Sequence, residues 1–179
     1  DALADMAAAG QGLGYEYIAI TDHSQRARSS RTLARHDVGR QRAEVEATRA
    51  RLAPLAVLHG LEVDILPDGS LDFPDPVLAG FDIVLASLHE DAGQDGAALT
   101  ERYLDAIRNP YVNVITHPAN RTPGGFAGYD VDFDRIFEAA VETGTALEID
   151  GAPNHLDMDG ALARRAVDLW RPFVEAKVG

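Results

Sequence analysis

The sequence has no cysteine among its 179 residues, which excludes disulfides, thiolate metal sites and cysteine nucleophiles together. A metal ion would have to be held by His, Asp or Glu. No apolar run approaches the roughly 20 residues that cross a bilayer, and no basic segment followed by an apolar one opens the chain as a secretory signal would. The expectation is a cytoplasmic protein that inserts in no membrane. Aromatic residues make up only 7%, so packing falls to Val, Ile, Leu and the abundant Ala, as in α/β proteins whose helices cover a sheet. Basic residues are also scarce. Against 29 Asp and Glu there are 16 Lys and Arg, and a formal charge of −13 repels a phosphate backbone unless cations or local basic patches offset it. A free-standing DNA-binding role is therefore disfavoured. What remains is ordinary globular composition, 46% hydrophobic and 25% charged, at a length that suits one domain.

Along the chain, strand and helix patterns alternate. Residues 2–13 are rich in helix formers, and Gly14 stands where a helix would stop. Residues 15–21 read as a buried strand that runs into Asp22 and His23. Residues 24–35 are polar and read as a loop, and residues 38–52 as a helix. A strand over 56–65 contains Glu62, and the turn residues Pro67-Asp68-Gly69-Ser70 after it predict a β-turn-β excursion. A short helix over 74–79 precedes a strand over 82–89 that ends in His89. The helix over 97–108 stops at Asn109-Pro110, and a strand over 112–116 leads into His117. Beyond a Gly/Pro-rich loop at 122–128 come a helix over 131–143, a strand over 146–149 ending in Asp150, and a helix over 156–170. Residues 172–178 are the place for a sixth strand. This alternation predicts parallel strands with right-handed helical crossovers.

In parallel α/β sheets and barrels, function collects at the C-terminal ends of the strands. His23, His89 and His117 fall there, with Glu62 late in its strand and Asp150 at the end of another. Any one such histidine is more simply a hydrogen-bonded loop residue; three with a carboxylate point to a metal centre. Imidazoles and carboxylates suit zinc, manganese or iron, and a bridging carboxylate holds two cations about 3.5–4 Å apart. His36, His59 and His155 read as surface or packing residues. No serine lies in a nucleophile elbow, and Walker and Rossmann glycine patterns are absent.

The segments GYEYIAITDHS (residues 14–24), LHGLEVDILPDGSLDFPD (58–75), DIVLASLH (82–89), LTERYLDAIRNPYVNVITHPANR (99–121), and ETGTALEID with the later NHLDMDGALARRAVDL resemble the PHP (polymerase and histidinol phosphatase) domain, in particular that of bacterial family X DNA polymerases. The resemblance implies a distorted (β/α)7 TIM-like barrel with up to three divalent ions, zinc, manganese or iron, at the C-terminal mouth. It makes Glu62 a bridging carboxylate, lets His89 and His117 complete the second metal, and gives His23 to a third. Glu62, His89 and His117 become the catalytic set, Arg121 a contact for substrate phosphate, and Asp150 a support for the ligands. The implied activity is metal-dependent phosphoester hydrolysis on a DNA 3′ end, as a 3′-5′ exonuclease or 3′-phosphatase in repair. The alternatives are a phosphatase for histidinol phosphate or nucleotides and an inactive structural remnant. The family's His-x-His strand and Asp-x-His pair have no counterpart here, Glu175 being the one carboxylate near the latter. Residues 1–179 are thus expected to form a single PHP-type domain, truncated at both ends, in which only the position of Glu62, His89 and His117 is complete. Oligomeric state is not legible.

Overall fold

The computed structural model describes residues 2–27, 32–89, 93–152 and 157–178, with side chains as far as residue 170. Strands β1 (Tyr17–Ser24), β2 (Thr32–Leu33), β3 (Ala56–Asp64), β4 (Ile83–Ser87), β5 (Val114–Ile115) and β6 (Ala146–Leu147) form one sheet. Their order is β2-β1-β3-β4-β5-β6, and every neighbouring pair is parallel. The sheet curls into half of a barrel, an incomplete form of the expected TIM-like architecture. Helices α1 (Leu3–Gly12), α2 (Val38–Leu52), α3 (Asp75–Leu78), α4 (Gly96–Arg108), α5 (Phe133–Thr143) and α6 (Gly160–Val178) complete the βα units. No helix among the described residues is long and apolar enough to cross a membrane.

The alternation of side chains along β3 sets the layers. Val57, Leu61 and Val63 are 0–1% exposed and pack into the apolar clusters, Val57 beside Val45 of α2 and Ala7 of α1. Residues 58, 60, 62 and 64 face the other way, into the arc. Gly60 is needed there because a Cβ would come within 2.8 Å of Thr21 Cγ2 and 2.9 Å of the Ile20 carbonyl oxygen. Its absence lets β1 and β3 run close, with His23 directly opposite Glu62 in the register.

The main core lies between the sheet and α4 and α5, with Tyr103, Phe73, Phe137, Leu104 and Ile107 as large buried members. Burying each such side chain contributes about 1.5–3 kcal/mol relative to leaving it exposed. Helix ends follow local chemistry. Asp95 caps α4 by accepting the Ala98 N–H at 2.8 Å, Asp132 caps α5 by accepting from Arg135, and Gly144 closes α5 with φ +79°.

Most expected elements are present. The excursion after β3 is an antiparallel bridge between Ile65 and Leu71, with the Leu66 N–H donating to the Ser70 carbonyl. Two expectations are corrected. The sixth strand is not at 172–178, where α6 runs through to Val178, in keeping with the helix formers Glu175, Ala176 and Lys177. It is β2, within the stretch read as loop, where Thr32 and Leu33 pair with His23 and Ser24. β5 and β6 are also shorter than the apolar runs that announced them.

Candidate metal centre

Because all six strands are parallel, their C-terminal ends share one rim, and three of them send an imidazole there. His23 is the next-to-last residue of β1, while His89 and His117 each follow their strand, β4 and β5, by two residues. Glu62 of β3 stands among them, its side chain 14% exposed. Its Oε2 is 3.5 Å from His23 Nδ1; its Oε1 is 3.4 Å from His117 Nε2 and 3.6 Å from His89 Nε2. The His89 ring centroid lies 5.0 Å from that of His23 and 5.2 Å from that of His117.

The tightest grouping among the described residues is His23, Glu62 and His89, whose ligand atoms lie within 4.8 Å of one another. The sequence resemblance instead groups Glu62 with His89 and His117. Both share Glu62 and His89, and the two carboxylate oxygens face different histidines, as a bridging carboxylate requires. We therefore treat all four as one centre.

Its electrostatics are those of a charged cluster. Burial opposes ionisation of Glu62, but the hydrogen bond with His117 and the nearness of His23, His117 and His89 outweigh it and hold the carboxyl below its ordinary value. Burial likewise opposes a charge on His117, yet Glu62, Glu148 and Asp157 together raise its pKa above the ordinary 6.5. The donor set fits a divalent cation. His23 Nδ1 is buried and makes no hydrogen bond, although it stands 3.5 Å from a carboxylate oxygen, and imidazole nitrogen with carboxylate oxygen is the chemistry of zinc, manganese or iron sites.

Residues not expected from the sequence support the cluster. Asp64 Oδ1 is 2.8 Å from His89 Nδ1. His117 sits at φ +30°, and its N–H donates to Glu148 Oε2 at 2.9 Å. Asp157, 0% exposed, accepts the N–H groups of Ala119 and Arg121 and so holds the loop after β5. Asp64 had a usable signal, the same strand face two residues beyond Glu62. Glu148 and Asp157 had only their nearness to Asp150 in sequence.

The remaining expected residues are placed elsewhere. Arg121 Nη1 meets Asp159 Oδ2 at 3.3 Å, beside a cavity of 390 Å³ walled by Phe126, Tyr129 and Leu162. Asp150 accepts the Ala152 N–H and, through its carbonyl, the Asp157 N–H, which fixes a turn. His36 is at the surface beside Asp37, and His59 is buried at 2% exposure and stacked on Phe81. His155 and the Glu175 side chain lie outside the described residues. An apolar groove of 370 Å³ along α5, β6 and α6 includes none of the four clustered side chains in its walls.

No family model matches the chain. It is 42% identical over 145 residues to the DNA polymerase/3′-5′ exonuclease PolX of Bacillus subtilis, covering 81% of this chain and 25% of that protein. It is 35% identical over 106 residues to a probable phosphatase of Caldanaerobacter subterraneus, covering 57% of this chain and 39% of the phosphatase. A probable phosphatase of Shewanella sp. is 36% identical over 112 residues, with 61% and 42% covered. The chain thus spans a quarter of the polymerase's length and about two fifths of the phosphatases'. Among solved structures, a chain in the cryo-EM structure of archaeal ribonuclease P with mature tRNA aligns with a TM-score of 0.50 at 13% identity, over 98% of this chain and 65% of that one. At that identity the likeness concerns the fold. Sequence segments, half-barrel and relatives agree with one another, and all are consistent with a PHP (polymerase and histidinol phosphatase) domain.

Proposed function

We propose that this chain is the metal-dependent phosphoesterase part of a family X DNA polymerase, hydrolysing phosphoesters at a DNA 3′ end as a 3′-5′ exonuclease or 3′-phosphatase. The observation that carries the reading is the convergence on Glu62 of three imidazoles from three separate strands, all within 3.6 Å of its oxygens. The greater identity of the polymerase relative, over a larger share of this chain than either phosphatase matches, favours the polymerase context.

Glu62 would bridge, His89 and His117 would bind on its Oε1 side, and His23 would bind on its Oε2 side. The chemistry that zinc or manganese ions supply there is acidification of a water and neutralisation of charge on a phosphoryl group. The chain's own contribution is placement. Parallel register sets His23 against Glu62, and the anions beneath the loop after β5 hold His117 over the same oxygen. Arg121 would anchor a substrate phosphate by exchanging it for Asp159. The net charge of −13 leaves contacts with the DNA backbone to a more basic region of a longer protein.

The test is hydrolysis of a 3′-recessed DNA duplex and of p-nitrophenyl phosphate by the chain with Mn²⁺ or Zn²⁺, with Glu62→Gln as control. Metal-dependent turnover that favours the DNA supports the proposal. A reversed preference makes the protein a small-molecule phosphatase, and no turnover of either substrate with metal bound leaves the structural remnant.

A further inference from the structure

Asp64 lies on the same face of β3 as Glu62 and is completely buried. A carboxylate withdrawn from water persists only where donors replace the water. Here there are two. Ser24 Oγ donates to Oδ2 at 3.1 Å, and His89 Nδ1 stands 2.8 Å from Oδ1. The serine hydroxyl is itself fixed, because it accepts the backbone N–H of Asp64 at 3.1 Å and so directs its own proton to the carboxylate. Ser24 and Asp64 thereby close a small ring across β1 and β3.

The contact with His89 sets the tautomer. A carboxylate only accepts, so a 2.8 Å approach assigns the ring hydrogen to Nδ1. Ser87 Oγ, 3.2 Å from the same nitrogen, is a longer second acceptor. In the neutral ring the lone pair is then on Nε2, which lies 3.6 Å from Glu62 Oε1. Two acceptors face each other across that gap, and a cation between them turns the opposition into attraction.

We propose that Asp64, locked by Ser24, is the positioning residue of this centre: it fixes the tautomer and orientation of His89 so that Nε2 presents its lone pair to a divalent cation shared with Glu62. The proposal rests on the metal-binding reading above and adds an unequal division of labour. Among the described residues, the other two imidazoles have no such backing. His117 Nδ1 is buried without a hydrogen-bond partner, and His23 Nδ1 already faces Glu62. His89 is the ligand held ready before any cation arrives, because outer partners of this kind orient a metal-binding histidine and raise its basicity.

The test uses Asp64→Asn, Asp64→Ala and Ser24→Ala in the whole chain, with zinc affinity read by competition against a chromophoric chelator. The His89 tautomer is read from two-bond ¹H–¹⁵N spectra of the metal-free protein. Expected are an Nδ1-protonated His89 in the unsubstituted chain and a mixture of tautomers in the Asp64 variants. Zinc affinity should fall about 10- to 100-fold with either Asp64 substitution, and less, in the same direction, with Ser24→Ala. A merely structural role would not move the tautomer at an unchanged melting temperature. Undiminished affinity with the tautomer unchanged overturns the role of Asp64 and leaves the metal centre standing. Failure of the unsubstituted chain to bind zinc overturns both. Should the Asp64 variants not fold, Ser24→Ala decides: weakened binding supports the proposal and unchanged binding overturns it.

Discussion

His59 and His117 are imidazoles on opposite sides of the same sheet, and their neighbours drive them in opposite directions. His59 points from β3 toward α2, stacks on Phe81 with ring centroids 4.4 Å apart, and meets the neutral Gln41 Oε1 through Nε2 at 2.8 Å. Burial, with Arg42 nearby, pushes its pKa below 6.5. His117 is also shielded, its side chain 16% exposed, but Glu62, Glu148 and Asp157 hold its pKa above 6.5. Burial alone therefore does not make a site. A histidine becomes a candidate for cation chemistry when the face it occupies also gathers carboxylates.

The contrast can be broken most sharply at Glu62. Glu62→Gln removes the anion that three imidazoles share, and calorimetric titration should show zinc or manganese binding lost by more than the roughly 10- to 100-fold that removal of an outer partner costs. His117 should then lose part of the rise in its pKa by NMR titration, Glu148 and Asp157 keeping the remainder, and so move toward His59. On the opposite face of the same strand, Leu61→Ala should destabilise the protein by about 2–5 kcal/mol in urea unfolding, because Leu61 is 0% exposed in the main core. Folded molecules of that variant should still bind metal, which would separate the structural face of β3 from the chemical one.

A smaller effect distinguishes the two groupings of ligands. His23→Ala leaves Glu62, His89 and His117 in place, so metal stoichiometry should fall while some binding survives. Complete loss would mean that His23, Glu62 and His89 form the single site. The smallest effect is on pH dependence in chelator-treated protein. His59 resists protonation when folded, so its contribution to stability is whole above 6.5 and is lost as pH falls from there toward its folded value. Melting temperatures at pH 7 and pH 5.5 should therefore differ less in His59→Gln than in the unsubstituted protein. His117 has the opposite sign: its contribution is whole below 6.5 and is lost as pH rises through its folded value.

Much of this was legible in the sequence because strands that end in a polar residue announce both an element and a rim. The runs ending in His23 and His89, and the one containing Glu62, located β1, β4 and β3, and the helix over 38–52 is α2 to the residue. What escaped depended on three-dimensional pairing. Thr32 and Leu33 become a strand only because His23 and Ser24 offer an edge. Val112 and Thr116 lie outside β5 although they belong to its apolar run, and Asn113 satisfies the Val84 N–H through its side chain at 2.8 Å. Asp64 looked like one more acidic residue until burial and His89 gave it a partner. Asp157 was invisible for the same reason, since its partners are backbone N–H groups 36 and 38 positions away.

The backbone of His117 has a final consequence. A residue other than glycine at φ +30° is held there against its own preference, and the restraint comes from acids that accept the N–H groups of residues 117, 119 and 121. Glycine or asparagine at this position would relax the chain and dispense with the ring, so folding itself gives no reason to keep an imidazole. The imidazole that comes nearest to Glu62 thus stands where folding does not ask for one, as a side chain meant to grip something would.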